Sequence, residues 1–207
     1  MNAKEAYEYA LNRKAPFPNG EAAIATSSLE SYCYARFVLG KPFPLGEAAI
    51  ATDAEWSYLY AKEILKGAFP LGEAMIAKCP FDSYGYAMHI LETPFPLGEK
   101  AIAKNAQCSY LYAHNVLQAP FPLGEAVIAT DSLHSYRYAV NVLKAPFRLG
   151  EKAIAKCAVS SFDYARYVLK APFPLGERII FKMGTEFMQN KYKELFPPKP
   201  KPAFFKY

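Results

Sequence analysis

The chain lacks almost every fixture on which enzymatic chemistry is built. It holds three histidines, His89, His114 and His134, at three different places in its sequence pattern, so they form no metal-ligand ladder. Its four cysteines, Cys33, Cys79, Cys108 and Cys157, include no C-x-x-C and stand beside no histidine pair. That excludes zinc-site and disulfide-framework spacing and points to free thiols in a reducing compartment. There is no phosphate loop, no G-x-S-x-G, no H-E-x-x-H and no cysteine with a matched histidine. The expectation is a protein that is not an enzyme and uses no cofactor and no metal. No run approaches the roughly 20 apolar residues of a membrane span. The opening residues, MNAKEAYEYALNRK, carry Glu5 and Glu8 and no apolar stretch, so no secretory signal is visible. A cytoplasmic protein with no membrane association is expected.

Charge of one sign is also scarce where it would matter. The net charge of +5 hints at nucleic acid, but the excess sits entirely in the last 30 residues, which hold seven basic and two acidic side chains. Residues 1–177 are neutral, with 17 of each sign. A basic tail is weaker support for DNA or RNA binding than a basic groove, and these partners are not expected. Apolar residues make up 52 % of the chain, enough for a core and too many for wholesale disorder.

What the chain does contain is periodicity. Gly-Glu returns seven times at an interval of 26 residues, from Gly20-Glu21 to Gly176-Glu177. A period of this length signals an array whose units bury their apolar faces by stacking on neighbours. A typical unit, residues 46–71, reads GEAAIATDAEWSYLYAKEILKGAFPL. The Pro before Gly-Glu suits a first helical turn and the Glu sits near the positive end of a helix dipole, which defines a short helix A. A polar residue at the eighth position (Ser27, Asp53, Asn105, Asp131) is suited to cap a second helix, and Pro80 falls where a proline is tolerated at the first turn. Helix B then runs about twelve residues to Gly40 or Gly67, or ends before the next proline.

At 100° per residue the recurrent Ser-Tyr-x-Tyr-Ala-x-x-Val/Ile-Leu of helix B gathers on one face. That wheel puts Leu39, Leu65, Leu91, Leu117, Leu143 and Leu169 near the middle of the buried arc, with Ala35 and its counterparts, and the two tyrosines at its edges. The Glu copied in every unit reads as structural, bonded to a neighbouring tyrosine or amide, because a catalytic site is normally built once from dissimilar residues. The recurrent Phe (Phe17, Phe43, Phe69, Phe95, Phe121, Phe147, Phe173) reads as the plug between units.

The expected architecture is all-α: one α-solenoid over residues 1–196 with about seven two-helix repeats. Residues 1–19 form an N-terminal cap that acts as a helix B without its helix A, and 20–177 are the repeats. Residues 178–196 are a longer capping helix, and 197–207 a basic Pro/Lys tail.

Two surfaces can carry function. On helix B the residues that differ between units lie opposite the core: Arg36, Phe37, Trp56, Leu59, Lys62, Met88, His89, Leu111, Arg137, Val140, Arg166 and Tyr167. This mixture suits a protein partner, with Trp56 as the candidate anchor, since Trp, Tyr and Arg dominate interface hot spots. Glu30, Glu55, Glu63, Asp82, Glu92 and Asp163 offset its basic residues and argue against nucleic acid. On helix A, Lys78, Lys100, Lys104, Lys152, Lys156, Arg178 and Lys182 make a stripe that grows toward the C-terminal half. It can hold a nucleotide-like ligand, or it can be neutralised by the recurrent Glu row.

The unit Pro-x-Gly-Glu-x-x-Ile-Ala-x-x-x-x-x-Ser-Tyr-x-Tyr-Ala-x-x-Val-Leu-Lys resembles the short helical repeats of large bacteriophages and giant viruses, over about residues 6–182. Their consensus is W-P-E-x-E-x-x-I-x-K-D-P-x-x-A-Y-x-Y-A-x-D-V-I-K-G. Here Phe-Pro-Leu-Gly replaces Trp-Pro-Glu and Ser replaces the Ala before the first Tyr. The resemblance implies an α-solenoid and a viral source, with host factors and bacterial defence components as targets, and it brings no functional residue. The expected function is a non-catalytic scaffold that binds a host protein through helix B. The alternatives are a sponge for a nucleotide-like signal on helix A, and a structural or assembly role through self-association.

Overall fold

The computed structural model describes residues 1–197, so the expected Pro/Lys tail lies, from residue 198 on, outside the described residues. The chain forms an α-solenoid of two-helix repeats, with fifteen helices and no strand among the described residues. Packing divides it into two units, Met1–Gly124 and the part from Glu125 on, the division falling inside the helix Pro122–Ile128.

Helix A is short because a proline-led turn opens it and a polar cap closes it. In four repeats a 3₁₀ turn (Pro44–Gly46, Pro70–Gly72, Pro96–Gly98, Arg148–Gly150) runs into a single α turn such as Glu47–Ile50. In Pro18–Ile24 and Pro122–Ile128 the whole segment is α. Helix B follows over 28–39, 54–65, 80–91, 106–117, 132–143 and 158–169. Asp53, Asn105 and Asp131 cap it as expected, each accepting the backbone N–H three residues on at 2.8–3.1 Å. Ser27 does not: its hydroxyl donates to Glu30 instead.

The second half of every helix B is a π-helix, a feature the sequence reading does not contain. An i→i+5 bond adds a residue to each turn, so the faces of the last residues lag behind a 100° wheel. The consequence is visible in burial. Leu39, Leu65, Leu91, Leu117, Leu143 and Leu169 are half-buried, while Ala35, Ala61, Ala87, Ala113, Ala139 and Ala165 are fully buried. Helix B ends in a left-handed residue, with φ of 50–61° at Gly40, Lys66, Glu92, Gln118, Lys144 and Lys170. Only the first of these is glycine, although this conformation costs a residue with a Cβ roughly 1–2 kcal/mol. In the second repeat the Ala61 carbonyl takes the N–H of both Lys66 and Gly67, which satisfies the widened last turn.

Repeats are joined by one polar bridge set in an apolar core. The second tyrosine of helix B is fully buried at Tyr34, Tyr60, Tyr86, Tyr112, Tyr138 and Tyr164, in the core rather than at the edge where the wheel places it. The Tyr60 hydroxyl accepts the N–H of Phe43 at 2.9 Å and donates to Glu47 Oε1 at 2.9 Å, while its ring meets Phe69 edge-on at 5.2 Å. The same bridge recurs at Tyr34, Tyr86, Tyr112 and Tyr164. The buried serine below it, Ser57, donates to the Ile50 carbonyl at 3.0 Å and ties helix B to its own helix A. Each Ile and Phe buried around this bridge contributes about 1.5–3 kcal/mol.

The repeat glycine answers to space rather than to backbone freedom. At Gly72, φ is −90°, open to any residue, but a Cβ would stand 2.6 Å from the Phe69 ring and 2.7 Å from Ser57 Oγ.

Both chain ends depart from the repeat. The first helix, Ala3–Arg13, takes the place of a helix B, with a capping box between Asn2 and Glu5. Its Tyr9 hydroxyl accepts from Arg13 at 2.7 Å instead of bridging, as an outward-facing cap allows. At the other end the expected single long helix is two, Pro174–Met183 and Glu186–Leu195, because Gly184 turns extended and Thr185 caps a new start. Tyr192 on the last helix closes the final bridge, accepting from Phe173 N–H at 2.8 Å and donating to Glu177 at 3.1 Å. The repeat therefore continues through Tyr192 with two residues inserted between its helices.

Candidate protein-binding face and basic stripe

The recurrent polar residues are consumed by the fold. Every Glu of the Gly-Glu series from Glu21 to Glu177 accepts a tyrosine hydroxyl, and Glu151 also pairs with Arg148 at 3.0 Å. Burial, reinforced by the adjacent carboxylate and opposed by the Phe amide, holds the Tyr86 and Tyr192 phenols at about 12 and those of Tyr60, Tyr112 and Tyr164 above that. Among the described residues no three His, Cys, Asp or Glu side chains gather to hold a metal, and no helix is long and apolar enough to cross a membrane. The four cysteines carry free thiols.

The helix B candidates separate into locked and available groups. Trp56 is half-buried and stacks on Tyr32 at 5.2 Å, a contact that joins two repeats. Arg36 pairs with Glu63 of the next repeat and donates to the Tyr32 hydroxyl, which itself donates to Glu63 at 2.6 Å. Burial first, then the Glu63 carboxylate, push the Tyr32 phenol up to about 12. Leu59, Met88, Leu111, Val140 and Arg166 are half-buried, and Phe37, Lys62, His89, Arg137 and Tyr167 are exposed. Two exposed rings carry a guanidinium: Arg36 lies 5.0 Å from Phe37 and Arg166 4.8 Å from Tyr167.

Between neighbouring helix B ends the surface sinks into hollows. In the first unit one of about 600 Å³ lies among Tyr7, Leu11, Lys14 and Phe37. A second, of about 690 Å³, includes Arg36, Lys62 and Ile64, and a third, of about 270 Å³, includes Met88, Asn115 and Val116. In the second unit one of about 290 Å³ includes Val140, Tyr167 and Val168. Cross-repeat bonds brace their walls, as where Asn115 Nδ2 donates to the Tyr84 hydroxyl at 2.8 Å. The linings of the hollows change from one to the next.

No family model, curated protein or solved structure matches the chain.

The helix A stripe is only partly assembled. Lys156, Arg178 and Lys182 converge on one hollow of about 350 Å³ in the second unit, with Ala155, Leu175 and Ile179. Lys78, Lys100 and Lys104 hold the same repeat positions three units earlier, and Lys78 Nζ lies 3.1 Å from Met75 Sδ. Lys152 sits on Glu151–Ile154, four residues before Lys156, and is exposed. Salt bridging to the Glu row does not occur: among the described residues none of the seven stripe cations pairs with a carboxylate.

One recurrent residue was missed altogether. The Leu before six of the seven repeat glycines (Leu45, Leu71, Leu97, Leu123, Leu149, Leu175) is 54–58 % exposed. Its signal was its recurrence without any place on the buried face of either helix.

Proposed function

We propose that this chain is a non-catalytic repeat scaffold that binds a protein through the C-terminal halves of its B helices. The observation that carries the reading is the set of hollows on that face, present in both units and lined by residues that change from repeat to repeat on an unchanging frame. A regular backbone with variable hollows suits recognition of one irregular surface. The available residues include exposed aromatic and arginine side chains, the types that dominate interface energetics. The resemblance to phage and giant-virus repeats directs the search to a host cell, where a defence component is the proposed target and the cytoplasm the proposed compartment.

The experiment is affinity capture from bacterial lysate under reducing conditions, comparing the unaltered protein with a variant carrying Phe37→Glu and Tyr167→Glu. Both residues are more than half exposed, so helicity and melting are expected to hold. A protein retained by the first and lost from the second supports the reading. A protein retained equally by both, or self-association with no protein captured, overturns it in favour of another face or an assembly role.

A further inference from the structure

We propose a second site, separate from the helix B face: the hollow of Lys156, Arg178 and Lys182 binds a phosphate-bearing ligand. Three positive side chains line one hollow of about 350 Å³, Lys156 from the turn after Glu151–Ile154 and Arg178 and Lys182 from Pro174–Met183, and no acidic residue lines it. That volume lies within the range of small-molecule sites. All three are exposed and none is paired with a carboxylate among the described residues.

The recurrent glutamates that precede them in the chain are engaged elsewhere. Glu151 is held by Tyr164 at 3.0 Å and Arg148 at 3.0 Å, and Glu177 by Tyr192 at 3.1 Å. Three like charges around one hollow repel each other, and an anion with two or more charges relieves that repulsion. The arginine selects phosphate over a point anion, because its planar fork bonds two phosphate oxygens at once. Lys156 and Lys182 flank it as point charges. Ala155, Leu175 and Ile179 supply the apolar contact that a bare phosphate cannot use and that the body of a phosphorylated molecule can. The same repeat positions in the first unit carry Lys78, Lys100 and Lys104, with no arginine.

Phosphate of this kind comes from a soluble polyphosphate or nucleotide, or from a lipid head group, and the assay separates the two. Tripolyphosphate, ATP, and phosphatidylcholine vesicles with and without a phosphatidylinositol phosphate are titrated at low and at physiological salt. Three proteins are compared: unaltered, Arg178→Glu with Lys182→Glu, and Lys62→Glu with Lys66→Glu, which makes the same change in net charge on helix B. Binding of tripolyphosphate or ATP that falls about tenfold or more in the helix A variant only supports the site and a soluble ligand. The same pattern with phosphoinositide vesicles alone supports the site and a lipid head group. No saturable binding of any probe, or an equal loss in both variants, overturns the proposal.

Discussion

Tyr60→Phe and Tyr58→Phe remove the same atom from two side chains of one helix, and the bridge described above requires opposite outcomes. The Tyr60 hydroxyl is fully buried, accepts the Phe43 amide and donates to Glu47, both at 2.9 Å. Removing it leaves the Phe43 N–H without a partner beside a residue that is 3 % exposed, a penalty of about 1–3 kcal/mol. Glu47 is half-buried and regains water, so its lost bond adds only about 0.5–1.5 kcal/mol. The total is about 1.5–4.5 kcal/mol, with no change in volume large enough to open a cavity. Tyr58 is half-buried, makes no side-chain hydrogen bond among the described residues and has Lys62 Nζ 5.5 Å from its ring, so its hydroxyl is worth less than about 0.5 kcal/mol. Urea unfolding followed by circular dichroism measures both. Equal losses in the two variants, or a Tyr60→Phe loss below about 1 kcal/mol, would refute the claim that this hydroxyl joins one repeat to the next.

Other consequences are as direct. At the left-handed helix ends, Lys66→Gly is expected to stabilise by about 1 kcal/mol and Gly40→Lys to cost about the same, read by denaturant midpoint; no difference between them would sink the backbone argument. Alkylation under native conditions should modify Cys157 first and Cys108 last. Burial raises the Cys157 thiol, but bonds from Ser160, Val159 and Ser132 outweigh it and leave it below the ordinary value, whereas Cys108 is 1 % exposed and pushed up to about 12 by burial. Mass spectrometry of early time points reads the order, and a reversed order contradicts it. The bridging phenols lie above the unfolded value of about 10, so the stability they contribute is complete below pH 10 and lost as pH rises through about 12. Helicity should then fall together with the late rise of tyrosinate absorbance; full tyrosinate absorbance at pH 11 with helicity intact would contradict this.

The repeat, its two helices and the roles of Glu and Phe were legible because each depends on local spacing and on a residue type with one physical use. The caps at Asp53, Asn105 and Asp131 belong to the same class. The π-helical half of helix B was not legible, since a wheel assumes the turn it is meant to reveal. That one assumption misplaced the leucines of the Leu39 series; the second tyrosines stand at or before the start of the π segment and are drawn into the core by the bridge to Phe and Glu. The stacking of Trp56 on Tyr32 was not legible for a different reason: the two are 24 residues apart, and only the stacking of repeats brings them together. The break of the C-terminal capping helix and the role of Tyr192 were not legible because two inserted residues hide Tyr192 from a strict period of 26, although Phe173 and Glu177 before it keep the pattern. The hollow of Lys156, Arg178 and Lys182 was half visible. The stripe could be read from spacing, whereas the absence of carboxylate partners depended on where the glutamates turn.

The central claim is that a protein partner meets the helix B ends, and site-specific photo-crosslinking tests it most directly. A photoreactive phenylalanine is placed at Phe37, His89 or Tyr167 on helix B, and at Leu45, Leu97 or Leu175 on the helix A side, all of them exposed. In bacterial lysate the account predicts one crosslinked protein of the same mass from the helix B positions and none from the leucine positions. Crosslinks confined to the leucines, or none from helix B, would contradict it.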